Sequence, residues 1–399
     1  LAFLLPFIFK GKIIEMAKNE INKSITAKVD FSDVGLSLFR SFPDFSLRIS
    51  NLTVVGVKEF EKDTLANIEN LELTLDLMSV ISGSNYEIKK INIIEPDIFV
   101  RVLKDGRTNY DIAPAEEEAT TPAVAEETPF KLTLKHVEIK DGTIVYDDAS
   151  LPTRAVLNGL NHTLSGNMVG DFTTLKTSTS IEKFDLDYDG IRYFTNATVN
   201  YIADIDADLK NEVYTLRENE LKLNELFLTF AGMFAFVGED YNLDFTFNAP
   251  KTDFKNFLSV VPAIYAKDFA SVQTKGNLKL DGFVKGLYTE TSLPAFKVNL
   301  AVSDAMFRYP ELPKAVTNIR INTEISNPGG TEDNTIIGIS AFHLELGSDP
   351  IDMKMLIKTP VSDPDIDGMI KGNFNLAGVS DFYPLEENEK MSGIFDFDI

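Results

Sequence analysis

The feature that most constrains this chain is the alternation of apolar and polar residues along many short segments. Between residues 71 and 77, four leucines at every second position are separated by a glutamate, a threonine and an aspartate. Residues 241–248 and 366–378 repeat the pattern. Because successive side chains of a β-strand point to opposite faces, a period of two predicts half-buried strands. So many such segments predict a mainly β protein with a long antiparallel sheet, one face apolar and the other wet and acidic. The apolar face must be covered, either by closing the sheet on itself or by something else.

Two stretches about 160 residues apart carry the same residues in the same order. In residues 137–158 and again in residues 300–318, an Asp precedes a Tyr by five positions, and Leu-Pro, Ala-Val and Asn follow. The two sets are Asp141, Tyr146, Leu151, Pro152, Ala155, Val156 and Asn158, and Asp304, Tyr309, Leu312, Pro313, Ala315, Val316 and Asn318. Residues 276–282 and residues 372–378 show a second, shorter sequence similarity. Repeats of this kind predict a fold extended by adding similar strand units. Chance similarity between two β-rich segments is the alternative.

Composition excludes several classes of function. The formal charge of −23 argues against nucleic-acid binding, which needs basic side chains to neutralise phosphates. An acidic body also fits poorly with broad adhesion to anionic lipid surfaces. The chain has no Cys, so it has neither disulfides nor thiolate metal sites. At 44% hydrophobic residues, 30 of them Phe, it can bury a large apolar interior or form a large apolar wall.

The pattern divides the chain into four regions. Residues 1–27 are expected to be a truncated membrane anchor followed by an amphipathic helix, and residues 28–112 an N-terminal β unit. Residues 113–129, rich in Glu, Ala and Pro without a single Lys or Arg, are an acidic linker or loop. Residues 130–399 are expected to form a longer, repetitive β region that is truncated at its C-terminal end. A second amphipathic helix is predicted over residues 253–269, where apolar residues recur at helical spacing.

The first nine residues, LAFLLPFIF, carry no charge. They are too few to span a bilayer, which takes about 20 residues. We therefore expect the clipped end of a longer hydrophobic helix. A signal-peptide remnant or an ordinary buried segment are the alternatives.

No constellation of residues calls for catalysis, a metal or a cofactor. Three Asp-x-Asp-x-Asp runs, at residues 185–189, 204–208 and 363–367, are expected on the polar faces of strands. The first and last resemble the start of an EF-hand loop, but position twelve is Asn196 in one and Phe374 in the other, where a bidentate Glu is required. Loose calcium binding remains an alternative. The three His residues lack zinc spacing, and no nucleophile elbow or nucleotide-binding loop occurs, so we predict that the protein is not an enzyme.

The order of features resembles the AsmA-like family of Gram-negative envelope proteins. The resemblance rests on the apolar N-terminus and its helix, followed by loose motifs along most of the chain. These motifs are Val29-Asp30-Phe31, residues 36–43 (LSLFRSFP), residues 52–56 (LTVVG), residues 91–97 (INIIEPD), residues 105–110 (DGRTNY), residues 137–142 with Tyr146, residues 363–365 (DPD), residues 372–376 (GNFNL) and residues 382–385 (FYPL).

The resemblance implies a protein held in the inner membrane by one N-terminal helix, with its bulk in the periplasm. Members of this group are similar in architecture to bridge-like lipid-transfer proteins, in which an elongated, curled sheet forms a groove with an apolar floor. It therefore implies binding or conduction of lipid, most simply phospholipid, in support of outer-membrane assembly or lipid homeostasis. The implied partners are phospholipid or another acyl lipid, the inner membrane and other envelope proteins, including those of the outer membrane.

The groove wall is expected to include apolar residues of the alternating segments. The candidates are Phe230, Phe234, Phe236, Leu243, Phe245, Phe247, Leu278, Leu280, Phe374 and Leu376. The alternative for each residue is ordinary core packing. The alternative for the whole protein is a non-catalytic structural or interaction scaffold of the envelope with a closed β-sandwich core.

Overall fold

The structure is a computed structural model that describes residues 10–37, 41–82, 86–113, 130–167, 171–250, 253–261, 272–383 and 391–399. These residues are mainly β: they contain 19 strands, three short or medium α-helices and three 3-10 helices. The chain divides into two compact units, residues 1–200 and residues 201–399. The predicted fold class is confirmed in being mainly β with few helices.

In the first unit a helix precedes a series of strands. The elements are α1 (Lys10–Ser24), β1 (Lys28–Asp30), β2 (Asp33–Ser37), β3 (Phe45–Val55), η1 (Lys58–Phe60), β4 (Thr64–Leu75), α2 (Leu77–Ser82), β5 (Tyr86–Val102), β6 (Phe130–Asp148), β7 (Thr153–Ser165), β8 (Phe172–Tyr188) and β9 (Ile191–Asp208), whose last residues belong to the second unit. Both β1 and β2 pair with β3, and strands β3 to β5 and β6 to β8 pair antiparallel in sequence order.

The prediction of a wholly antiparallel sheet is wrong at one place. Strands β5 and β6 pair in parallel, with Ile91 opposite Val137 and Ile98 opposite Ile144. Parallel neighbours need a long crossover connection, and the 103–129 segment between these strands supplies one. The predicted acidic segment 113–129 falls within this connection. Apart from Ala113 it lies outside the described residues.

The second unit is a run of antiparallel neighbours. Its elements are β10 (Val213–Leu223), β11 (Leu226–Val237), β12 (Asp240–Asn248), α3 (Phe254–Leu258), β13 (Gln273–Tyr288), β14 (Ala295–Arg308), β15 (Val316–Asn327), η2 (Glu332–Asn334), β16 (Ile336–Leu346), β17 (Asp349–Lys358), β18 (Asp365–Asn375), η3 (Leu376–Asp381) and β19 (Ile394–Asp398). Each strand from β10 to β18 pairs antiparallel with the strand that follows it.

Most strands of the first unit carry one break in their period of two. On β6 the apolar spacing widens from two to three residues between Ile139 and Gly142, where Asp141 has a positive φ of 50°. A Cβ at Gly142 would lie 3.2 Å from the Ile139 side chain, so both residues face the same way. Three-residue steps between residues of this face also occur on neighbouring strands. On β7 the step lies one pair further along, because Gly142 and Ile144 face Leu160 and Leu157. The stepping pairs are Ile49 and Leu52, Ile68 and Leu71, Ile93 and Pro96, Leu157 and Leu160, and Ile181 and Phe184.

The repeat found in the sequence corresponds to the same structural feature in both units, a left-handed Asp at a β-bulge. Asp304 of β14 has a φ of 52°, as Asp141 has 50°, and each lies at a shift in register with the next strand. In β14 the step from Val302 to Ala305 keeps both residues in one buried cluster. A bulge of this kind adds a residue without turning the apolar side chains to the other face.

One buried cluster lies at an edge of the second unit. The short helix α3 places Phe254 and Leu258 against strands β13 to β15, and Phe382 after η3 joins them. The other buried members are Leu226, Ala249, Val272, Leu278, Val302, Ala305, Tyr309, Val316 and Ile319. This cluster covers the part of the apolar face that packs against α3 and Phe382.

The two predicted helices have different outcomes. The first is confirmed as α1, although the anchor predicted at residues 1–9 lies outside the described residues. The second begins as predicted but ends at Leu258, with Ser259 forming its C-cap, and residues 262–271 lie outside the described residues. Within the described ranges, no helix combines the length and apolar character needed to cross a membrane.

Candidate functional site

A row of directly opposed apolar residues crosses eight strands of the second unit. Each member faces the next across the strand pairing, from β11 to β18. The row consists of Phe230, Phe247, Gly282, Val298, Ile325, Ile337, Ile357 and Ile366. At about 4.8 Å between neighbouring strands, it extends roughly 34 Å across them. The side chains remain half-buried, and Ile366 at the end of the row is 60% exposed.

Further rows run beside it on the same face. One joins Leu280, Leu300, Thr323, Ile339 and Met355. On the other side Phe234 lies opposite Leu243, and Phe245 lies opposite Val284. A filled interior would bury such side chains completely, whereas these retain exposed surface.

Six of the ten residues predicted to line a groove lie together on this face, on β11 and β12. They are Phe230, Phe234, Phe236, Leu243, Phe245 and Phe247. Leu280 of β13 borders the buried cluster. Phe374 of β18 lies on the same side, where its ring contacts Phe395 at 5.7 Å and Phe397 at 6.2 Å.

Two predicted groove residues need correction. Leu278 is only 1% exposed and belongs to the buried cluster beneath α3, so it is a packing residue. Leu376 is not in a strand: β18 ends at Asn375, whose side chain accepts a hydrogen bond from Ala377 N, and the backbone continues as η3. The alternating pattern of residues 366–378 gave no sign that the strand ends there.

Glycines on the apolar face are covered by phenylalanine rings of the neighbouring strand, which sequence reasoning missed. Gly232 pairs with Phe245, Gly282 with Phe247, and Gly372 with Phe397. A Cβ at these glycines would lie 2.8, 2.5 and 2.7 Å from the respective ring. The rings thus lie over backbone that glycine leaves bare. The repeated glycines of residues 276–282 and 372–378 were the available signal.

Aromatic side chains mark the end of this face that lies away from the buried cluster. Tyr214 stacks on Phe234 with ring centroids 4.7 Å apart, and Phe236 contacts Tyr241 at 5.3 Å. Tyr241 and Tyr288 are 41% and 45% exposed. Tyrosine suits such a border because its ring is apolar and its hydroxyl can remain in water.

The first unit has an equivalent row that ends in polar groups. It runs across β2 to β8 through Val34, Ile49, Leu71, Ile93, Ile139, His162 and Thr179. All seven residues are half-buried. His162 Nδ1 lies 2.8 Å from Thr179 Oγ1, and burial lowers the pKa of the imidazole. His162 is the polar residue of this row that directly follows the five apolar ones, since it lies opposite Ile139 of β6.

The opposite faces carry the charges. Arg48 pairs with Glu72, and Lys285 Nζ lies 2.8 Å from Asp244 Oδ2. In the first Asp-x-Asp run, Arg192 hydrogen-bonds to Asp187 at 2.7 Å and lowers the pKa of that carboxyl. In the second run, Asp206 forms an ion pair with Arg217.

Among the described residues, no three His, Cys, Asp or Glu side chains are grouped so that they could hold a metal ion.

Comparison with known proteins identifies the family. A model described as the AsmA family matches residues 1–240, which is more than half of the 399 residues. No curated protein and no solved structure matches the chain. The chain therefore belongs to the AsmA family, and its large β-sheet architecture fits an envelope-associated, lipid-transport-like role.

Proposed function

We propose that this protein binds lipid acyl chains, chiefly those of phospholipid, on its apolar strand faces and conducts lipid for outer-membrane assembly or lipid homeostasis. The observation that carries the proposal is the half-exposed apolar row across eight strands of the second unit. Such a row offers hydrocarbon a continuous contact surface. In this role the protein is not an enzyme, and it needs no cofactor.

The energetics support lipid binding that is favourable overall but does not depend on one tight site. Burying about ten methylenes is favourable by about 8 kcal/mol at ~0.8 kcal/mol each, before the cost of immobilising the lipid. Neighbouring positions of the row are chemically alike, so a chain that moves by one strand exchanges one apolar contact for another. Lipid is then retained by the whole face and not by any single position.

The setting that we propose is the periplasm, with the protein held in the inner membrane through its N-terminus. Family membership supports this setting, and so do the uncharged first nine residues. Other envelope proteins would receive the lipid. A closed scaffold is less favoured because it would require these apolar side chains to be fully buried.

Adjacent residues of β12 provide a matched test. Phe247 is half-buried on the apolar face, whereas Thr246 is exposed on the opposite face. Because a carboxylate is costly to place against hydrocarbon, Phe247→Asp should lower the phospholipid that co-purifies with the protein several-fold. Thr246→Asp adds the same charge one residue away and should leave the lipid unchanged.

Lipid would be extracted from each purified protein and quantified by mass spectrometry, with circular dichroism confirming that both variants are folded. Equal lipid in the two variants, or a wild-type protein without lipid that excludes hydrophobic dyes, would refute the proposal and favour the closed scaffold.

A further inference from the structure

The apolar row of the first unit has the chemical layout of an amphiphile. Five successive strands contribute only Val, Ile or Leu, and the next two contribute His162 and Thr179. From β2 to β6 the apolar part covers about 19 Å at ~4.8 Å per strand. One leaflet of a bilayer has a hydrocarbon depth of about 15 Å, half of the ~30 Å core. The row can therefore accommodate one acyl chain with its polar end at β7.

The surroundings make His162 distinctive on this face. Its neighbours on the same face are Val137 and Ile139 of β6, and Thr177, Thr179 and Ile181 of β8. None of these side chains carries a charge. The neighbouring Glu138 and Lys140 belong to the opposite face of β6.

Geometry also fixes which ring atom is available. The hydrogen bond between Thr179 Oγ1 and His162 Nδ1 fixes the orientation of the imidazole ring. The other ring nitrogen, Nε2, forms no hydrogen bond with any described residue. A half-buried imidazole with one nitrogen held by a hydroxyl can offer the other as a hydrogen-bond donor.

We propose that His162 and Thr179 form a head-group subsite for a singly charged oxyanion whose acyl chain lies along the apolar row of the first unit. The oxyanion is either a phospholipid phosphodiester or a fatty-acid carboxylate. The inference rests on the proposed function, because it requires an acyl chain on this face. It adds a fixed orientation, with the lipid head at β7 and the tail toward β2.

Binding measurements with matched lipids test the subsite. The probes are dioleoylphosphatidylglycerol, oleic acid and uncharged dioleoylglycerol, each displacing a fluorescent acyl probe from the full chain. A charge-assisted hydrogen bond contributes roughly a tenfold change in affinity, so His162→Leu should weaken binding of the charged lipids by about that factor. Binding of dioleoylglycerol should be unchanged. Whichever charged lipid responds identifies the source of the oxyanion.

Two further variants separate the subsite from general damage. Thr179→Val, nearly isosteric, should weaken binding of the same charged lipids by a smaller factor. His136→Leu removes a histidine from the opposite face of β6 and should change nothing.

The small number of histidines gives a direct spectroscopic readout. The chain has three, so nitrogen-15 labelling of histidine yields three imidazoles to follow by NMR. Adding the charged lipid should shift the His162 resonances, with His136 and His343 as internal controls. Equal loss of charged and uncharged lipid in His162→Leu, or unshifted His162 resonances at saturation, would overturn the subsite and leave acyl-chain binding intact. If no lipid binds the wild-type protein, it is the proposed function that fails.

Discussion

Asp148 shows how a single carboxylate holds the turn between β6 and β7. Its Oδ1 accepts hydrogen bonds from the Ser150 hydroxyl at 2.6 Å, Ser150 N at 2.8 Å and Leu151 N at 3.0 Å. Its Oδ2 accepts the Tyr146 hydroxyl at 2.7 Å. The Ser150 hydroxyl, with the Leu151 amide and Tyr146, lowers the pKa of Asp148 to about 2. The hydrogen bond to Asp148 in turn raises the pKa of Tyr146 to about 12.

The depressed pKa of Asp148 predicts a stability that depends on pH. Because the folded pKa is about 2 and the ordinary value is 3.8, the contribution is complete above about pH 4 and disappears as the pH falls toward 2. That difference corresponds to about 2 kcal/mol for a side chain that is almost fully buried. Asp148→Asn should therefore lower the free energy of unfolding by about 2 kcal/mol at pH 7 and by much less at pH 2.

Urea unfolding of the two proteins at pH 7, 4 and 2 would measure this difference. A constant gap between wild type and variant at all three values would show that the charge of Asp148 is not what stabilises the turn. The sequence marked Tyr146 and Leu151-Pro152 as repeated residues. It did not single out Asp148, because an Asp next to a turn is common and its four donors are known only from the fold.

At the scale of elements, the loop after β5 is tied down by Asn109. Its amide donates to Phe99 O at 2.6 Å and accepts Arg101 N at 2.9 Å, so it occupies the place of a neighbouring strand. A few residues further on, Ile112 O accepts Thr26 N, which fastens the chain after α1. The DGRTNY segment of residues 105–110, noted as a family motif, therefore has an architectural role here.

Removing the Asn109 amide should loosen both segments. Asn109 is only 2% exposed, and Asn109→Ala removes this partner from the part-buried Arg101 amide and Phe99 carbonyl. The expected loss is about 2–4 kcal/mol of unfolding free energy. Limited proteolysis should then cut residues 103–113 sooner. A nearby exposed change, Lys104→Ala, serves as the control, and equal proteolysis of the two variants would contradict the assignment.

The strand elements were predictable where the period of two is regular, as in residues 71–77 and 241–248. The breaks were not, because the three-residue step between Ile139 and Gly142 resembles the end of a strand in sequence. Only the repeat that pairs Asp141 with Asp304 hinted that these positions are structurally alike, and both prove to be left-handed. The parallel pairing of β5 with β6 was also missed, since residue pattern does not encode strand direction.

At the scale of the whole molecule, sequence predicted the class of fold, the family and the presence of an apolar face. The six groove candidates of β11 and β12 were correctly grouped on one surface. These strands form a hairpin, and the alternation of apolar and polar residues determines its register. It failed for Leu278 because α3 covers that position, and cover by a distant element cannot be deduced from strand periodicity. His162 was not singled out, because the polarity of a histidine does not show which face of a strand it occupies.

Photo-crosslinking along β6 tests the central claim most directly. A photoreactive amino acid would replace one residue at a time at Val137, Glu138, Ile139, Lys140, Thr143 and Ile144, and lipid adducts would be detected by mass spectrometry after irradiation in cells. We expect adducts at residues 137, 139 and 144 and none at 138, 140 and 143. The reactive positions should change from odd to even numbers across the step at Asp141. Adducts spread equally over both faces, or no lipid adducts at any of the six positions, would contradict the account.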